Sequence, residues 1–305
     1  MENINVLTFD IIGMPVGDFS KFALIIIMFS MGLNLSFYNF ENIFKHPKPV
    51  FIGLLGQIIL LPLVGFILTY IFDLRFEIAV GIIIIACCPG AATSNFMTYL
   101  AKGDLALSVT LTAIAGILTV FTIPLIINFA LEIYSAQGAL LSLPVLETIW
   151  NIFTLTALPV FTGMIVRLTN PKLANYFEKL LTPISFGALL IVMIMTGKEV
   201  WPNLNEMIQE ALVPVLMLNF IMVGVGLLLG KVFKLSSNQI STLGIEVGFQ
   251  NYILGIVIAL GILGNADMSI PAIIYLFSMY LSAIIIIIVS RINNNNYNKD
   301  QINLH

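Results

Sequence analysis

Charge is what this chain lacks most. Lys, Arg, Asp and Glu make up 10% of its 305 residues, against about 25% in a soluble domain. That excludes a solvated globular fold and leaves an all-α polytopic membrane protein. No polar run is long enough for a soluble appendage, so one membrane domain over 1–292 is expected. Histidine is nearly missing, with only His46 and His305, and cysteine is confined to the adjacent pair Cys87 and Cys88. A transition-metal cluster therefore has no ligands, and neighbouring cysteines in an apolar run read as small apolar residues. Met1 to Gly17 has no basic start and carries Glu2 and Asp10, so a cleavable signal is not expected there. No Lys, Arg or His falls deep in an apolar run. If a bound solute is an anion, it finds no arginine clamp, and nucleic acid is not an expected partner.

What is present is apolar length. A helix crosses a bilayer with roughly 20 apolar residues, and nine segments qualify: roughly 19–40, 49–72, 76–101, 104–133, 146–167, 180–198, 211–233, 238–264 and 269–291. With the N-terminus outside, ten Lys and Arg fall on the inner side and three, Lys21, Arg75 and Lys198, on the outer side. That split follows the positive-inside rule, and an odd number of spans puts the C-terminus in the cytoplasm. The asparagine-rich stretch 293–305 reads as a disordered tail.

Two of the nine segments are faulted. In "ACCPGAATSNF" (86–96) Pro89 removes a helical hydrogen bond and Gly90 weakens the helix further. In "TLGIEVGFQNYILG" (242–255) Gly244, Glu246, Gly248, Gln250 and Asn251 interrupt an apolar run. Irregular backbone at membrane depth must face protein or a wet cavity. The faults lie in the third and eighth segments, five apart, so the two helices run in opposite directions. Paired faults of that kind are expected of an inverted repeat of five helices whose first helix is missing, with repeats at about 19–133 and 146–291, and they mark a transporter's binding site. A broken helix offers free carbonyls to a cation and free N–H groups, near Thr93 and Asn251, to an anion.

Glu246 stands alone as a deep charge. A carboxylate there costs about 2.5–3.5 kcal/mol on the insertion scale, so it must be protonated, hydrated or bound to a cation. Ser108 and Thr112 are spaced i, i+4 and share a helix face. Gln57 is the one strongly polar residue in the middle of "LLGQIILLP" (54–62). Ser94 and Asn95 follow the first fault and Gln250 lies in the second. Hard cations take carboxylate, amide, hydroxyl and carbonyl oxygens, and this inventory suits one or two Na⁺. Asp104, before the fourth segment, reads as a helix cap.

These residues resemble the bile acid/sodium symporter family. "CCPGAATSNFMTYLAKGDLALSVTLT" (87–112) is similar to its first crossover motif, "EVGFQN" (246–251) to its second, and Gln57 with Pro62, "MFSMGLNL" and "FKHPKP" agree. The resemblance covers essentially the whole chain. It implies inverted repeats, a panel part and a core part, and crossing of the two discontinuous helices in the core. It implies Na⁺-coupled import of an organic anion, bile acid-like or a small carboxylate, across the inner membrane. One Na⁺ site would use Ser94, Asn95, Ser108, Thr112 and Glu246. A second would use Gln57, Glu246, Gln250 and the carbonyls of Val247 and Phe249. Asn251 and the crossover, at Ala92 and Thr93, would touch substrate. The crossover reads Pro-Gly-Ala-Ala-Thr (89–93) where relatives often have two glycines and then a threonine, so Ala91 and Ala92 leave the substrate-facing wall different, and some relatives carry a histidine in the last helix. Both departures bear on substrate choice. The rival readings are a proton-coupled carrier or exporter of the same fold with Glu246 titrating, an intramembrane enzyme, which lacks a second acid or a base, and a sensor, which lacks an output domain.

Overall fold

Residues 10–11, 14–36, 45–134, 144–201 and 204–302 are described in a computed structural model. Apart from a two-residue antiparallel pairing of Asp10–Ile11 with Met14–Pro15, the described chain is helical. In order come α1 (Val16–Asn34), α2 (Pro47–Ile71), α3 (Phe76–Cys87), α4 (Ala92–Leu100), α5 (Leu105–Tyr134) and α6 (Val145–Thr169). There follow α7 (Pro171–Val200), α8 (Leu204–Val232), α9 (Ser237–Gly248), α10 (252–262) and α11 (Ile270–Ile302). Among the described residues eight helices are long and apolar enough to cross a membrane, counting α9 and α10 as one. The expected third segment divides into α3, of 12 residues, and α4, of 9, each too short to cross alone. α11 runs through the asparagine-rich stretch to Ile302, where an irregular tail is expected from 293. A helix already nucleated extends at little cost per residue.

Proline shapes α2 before it reaches the site. Pro62 has no N–H, so the turn ahead of it cannot close in the ordinary way. Residues Leu55–Leu60 adopt a widened π turn, closed by the Leu61 N–H on the Gly56 carbonyl. Gln57 sits in that turn. Widened turns of this kind gather at functional positions. α6 repeats the device at Phe153–Ala157 ahead of Pro159.

Packing relies on small residues, as expected where lipid gives no hydrophobic drive between helices. α1 lies along α6 and α7. A Cβ built on Gly163 of α6 would stand 2.7 Å from the Leu33 nitrogen of α1, so the two backbones touch. α8 lies along α9 and α11, and a Cβ on Gly226 would come 2.8 Å from the Leu243 carbonyl carbon. α3 is buried all round, from Ile78 to Cys87, between α2, α5 and α11. Its start is fastened to α8: Glu210 accepts from the Arg75 main-chain N–H at 2.7 Å and from the Arg75 guanidinium.

Candidate functional site

The two faults expected from sequence are present, and they meet. Beyond α3 the chain is extended at Cys88 (φ −65°, ψ 149°) and at Ala91 (φ −86°, ψ 147°). Beyond α9 it is extended at Phe249 (φ −108°, ψ 117°). The Asn251 N–H donates to the Pro89 carbonyl at 2.8 Å, so each break satisfies part of the other. The second fault is narrower than the sequence suggests. The helix continues through Gly244, which meets the Leu227 side chain, and ends only at Gly248, against Val223. Gly244 is there for close packing.

Glu246, fully buried, gathers hydroxyl side chains from two elements. Its Oε1 lies 2.5 Å from the Ser94 hydroxyl of α4 and 2.5 Å from the Ser108 hydroxyl of α5. Its Oε2 lies 3.0 Å from the Thr112 hydroxyl. Each hydroxyl has a second oxygen in reach: Ser94 the Ala91 carbonyl at 2.7 Å, Ser108 the Asn95 Oδ1 at 2.7 Å, and Thr112 the Ser108 carbonyl at 3.1 Å. A hydroxyl carries one hydrogen. Three hydroxyls with two oxygens each therefore make six oxygen–oxygen contacts served by three hydrogens. The pocket is oxygen-rich and short of positive charge, and all five residues named for the first Na⁺ are in it.

The residues named for the second ion also come together. The Gln57 amide nitrogen donates to the Glu246 carbonyl at 2.6 Å, and that of Gln250 to the Val247 carbonyl at 3.0 Å. Both amide oxygens, Gln57 Oε1 and Gln250 Oε1, are buried without a protein partner. A buried acceptor left unmet costs about 1–3 kcal/mol, so two at one locus call for an occupant. Phe249 follows directly, at the break.

Two residues here escape the sequence reading. Asn219 of α8 and Tyr275 of α11, both buried, donate to the Gly248 carbonyl at 2.7 and 3.0 Å. Asn219 had a signal, since it is as isolated in its apolar run as Gln57 is. Tyr275 had none. Because either donor alone still satisfies the carbonyl, Asn219→Ala and Tyr275→Phe should each cost about 1 kcal/mol of stability, and the double variant more than the sum. Thermal melting of the four proteins measures it; strict additivity would mean the two donors do not share the carbonyl's satisfaction.

Two voids flank the crossover. One, of about 30 Å³, touches Pro89, Gly90, Thr112 and Asn251, and has room for a water or an ion. The other, of about 220 Å³, is lined by Thr93, Ala91, Asn251 and Tyr280 from the crossover side and by Thr182 and Ser185 of α7. Thr93 is exposed and Asn251 buried. The Asn251 side-chain oxygen caps α10 through the Leu254 N–H at 3.1 Å. Ala92 begins α4. Asp104 caps α5, accepting from the Leu107 N–H at 3.0 Å.

Comparison with known proteins bears on this geometry. The profile of the Sodium Bile acid symporter family matches residues 21–202. A sodium-dependent transporter of Bacillus subtilis is 33% identical over 239 residues, which is 77% of this chain and 71% of that one. A probable sodium/metabolite cotransporter of Arabidopsis thaliana chloroplasts is 29% identical over 252 residues, 82% of this chain and 61% of the relative. The ileal sodium/bile acid cotransporter of Homo sapiens is 30% identical over 229 residues, 75% and 65% respectively. The chain thus spans less than two thirds of the plant and human relatives.

Proposed function

The chain belongs to the sodium bile acid symporter family, and we propose that it imports an organic anion by alternating access, driven by two co-transported Na⁺. It is an integral membrane protein of a sodium-dependent transporter family, and not an enzyme. In the proposed reading α3 and α4 together make one discontinuous span and α9 with α10 another, giving nine. The repeats fall at about 19–133 and 146–291, with the N-terminus outside and the C-terminus cytoplasmic. α1, α6 and α7 form the panel and the remaining helices the core.

The observation that carries this reading is the oxygen surplus at Glu246. The first Na⁺ takes Ser94, Asn95, Ser108, Thr112 and Glu246. The second takes Gln57, Glu246, Gln250 and the carbonyls of Val247 and Phe249. A protonated Glu246 is the alternative, making the chain a proton-coupled carrier or exporter. One proton adds one hydrogen to a shortfall of three, and leaves both orphaned amide oxygens unmet, so the cation accounts for more of the geometry. The anion docks in the cavity beside Ala92, Thr93 and Asn251. Two Na⁺ per monoanion move one net charge, worth roughly 2.3 kcal/mol per 100 mV. Melting the purified protein in NaCl, KCl and choline chloride tests the reading. A rise specific to Na⁺ is expected; equal melting in all three salts, with a shift only on changing pH, would favour the proton carrier.

A further inference from the structure

The bilayer-facing grooves between α8 and α11 differ in chemistry. One, of about 350 Å³, is lined by apolar side chains such as Leu212 and Phe277, with one hydroxyl, that of Ser278, which bonds the Tyr275 carbonyl. The other, of about 280 Å³, is shared with α9 and carries Lys231, Ser237, Ser241 and Ser290 at one end. Its walls, Phe220 and Ile285, are 38% and 46% exposed, on a face that in a membrane protein meets acyl chains.

The polar end has unused capacity. Lys231 makes no ion pair among the described residues. The Ser241 and Ser290 hydroxyls lie 3.0 Å apart. One hydrogen joins them, and the second is free to donate outward. Lys231 lies in the last turn of α8, and the Lys234 N–H donates to its carbonyl just beyond the helix, so a second cation is close by in sequence. Basic residues between spanning helices favour anionic headgroups. The fifth polar group of the lining, the Ser282 hydroxyl, bonds the Met279 carbonyl, while the other four have no reason to line a groove that holds only hydrocarbon.

We propose that this groove binds an anionic phospholipid. The phosphate lies at Lys231, the glycerol and ester oxygens meet the Ser241–Ser290 pair, and an acyl chain runs along Phe220 and Ile285. A soluble phosphate would use only the Lys231 end, and the apolar walls commit the site to a lipid. The inference does not depend on Na⁺ coupling. The occupant also touches Ser237 and Ser241 of α9, the helix that carries Glu246 at its other end.

The test is native mass spectrometry of the detergent-purified chain titrated with phosphatidylglycerol, with phosphatidylcholine of the same acyl chains, and with glycerol 3-phosphate. Wild type should retain phosphatidylglycerol over phosphatidylcholine. Lys231→Gln should raise the half-saturating phosphatidylglycerol about fivefold, the effect of one cation near the headgroup, and Lys231→Arg should restore it. Equal retention of the two lipids, an unchanged titration in Lys231→Gln, or full displacement by glycerol 3-phosphate would each overturn the proposal. A photoreactive phosphatidylglycerol gives a second reading on wild type alone. Adducts on 220–231, 237–241 or 282–290 support the site, and adducts confined elsewhere overturn it.

Discussion

Glu246→Gln should abolish both Na⁺-dependent stabilisation and Na⁺-driven uptake while leaving the protein folded. Gln matches Glu in shape, and its amide group adds two hydrogens to a cluster short of three. The variant should therefore melt in KCl at or above the wild-type temperature. What it loses is charge. In wild type, Na⁺ at a hundred times its dissociation constant adds about 2.7 kcal/mol by mass action. In Glu246→Gln that increment should vanish, and uptake should fall by more than the ~100-fold that losing a mere supporting partner can cost at a metal site. Melting curves in NaCl and KCl decide it. A Na⁺ increment surviving in the variant would remove Glu246 from the ion's shell and with it the proposed coupling.

Gly90→Ala should have the next largest effect, for a steric reason. A Cβ at Gly90 would stand 3.2 Å from Gln57 Nε2, 3.2 Å from Glu246 Oε2 and 3.6 Å from Thr112 Oγ1. The space that glycine leaves open is bounded by groups assigned to both ions. A methyl there would displace an ion or its water and offer no ligand in return. Gly90 is not in the left-handed region, so alanine meets no backbone strain. The crowding falls on the ends of flexible side chains, which can shift, so folding should survive. We expect Na⁺ affinity to fall about tenfold to 100-fold, with melting in KCl nearly unchanged. Gly116 is the control, since it borders the same small void but has nothing within 4 Å of its missing Cβ. Gly116→Ala should bind Na⁺ as wild type does. A Gly90→Ala protein with normal Na⁺ affinity would place the ions elsewhere.

The local features of the site are legible in the sequence because each depends on chain neighbours. Pro89 breaks α3 by lacking an N–H wherever the helix packs. Ser108 and Thr112 share a face through helical spacing alone, and Asp104 caps α5 by the same local rule. Gln57 and Glu246 stand out against apolar runs. Gly244 misleads for the opposite reason: a glycine in a helix is either a break or a point of contact, and only the Leu227 side chain decides between them. Asn219 carries the same polar signal as Gln57, but its partner, the Gly248 carbonyl, has no sequence mark at all.

By itself, then, the sequence determined a membrane-embedded helical chain with two faulted helices, one deep carboxylate and a stock of oxygens able to hold Na⁺. The tertiary structure decided that those oxygens crowd one point. Glu246 meets Ser94 across 152 positions and Gln57 across 189, separations over which no local rule operates. The shortage of hydrogens in the cluster, the clamp on Gly248 and the space left by Gly90 all exist only where chain-distant helices are brought to contact. Hydropathy and helical spacing act along a single segment, whereas an ion's coordination shell is a property of the gap between several.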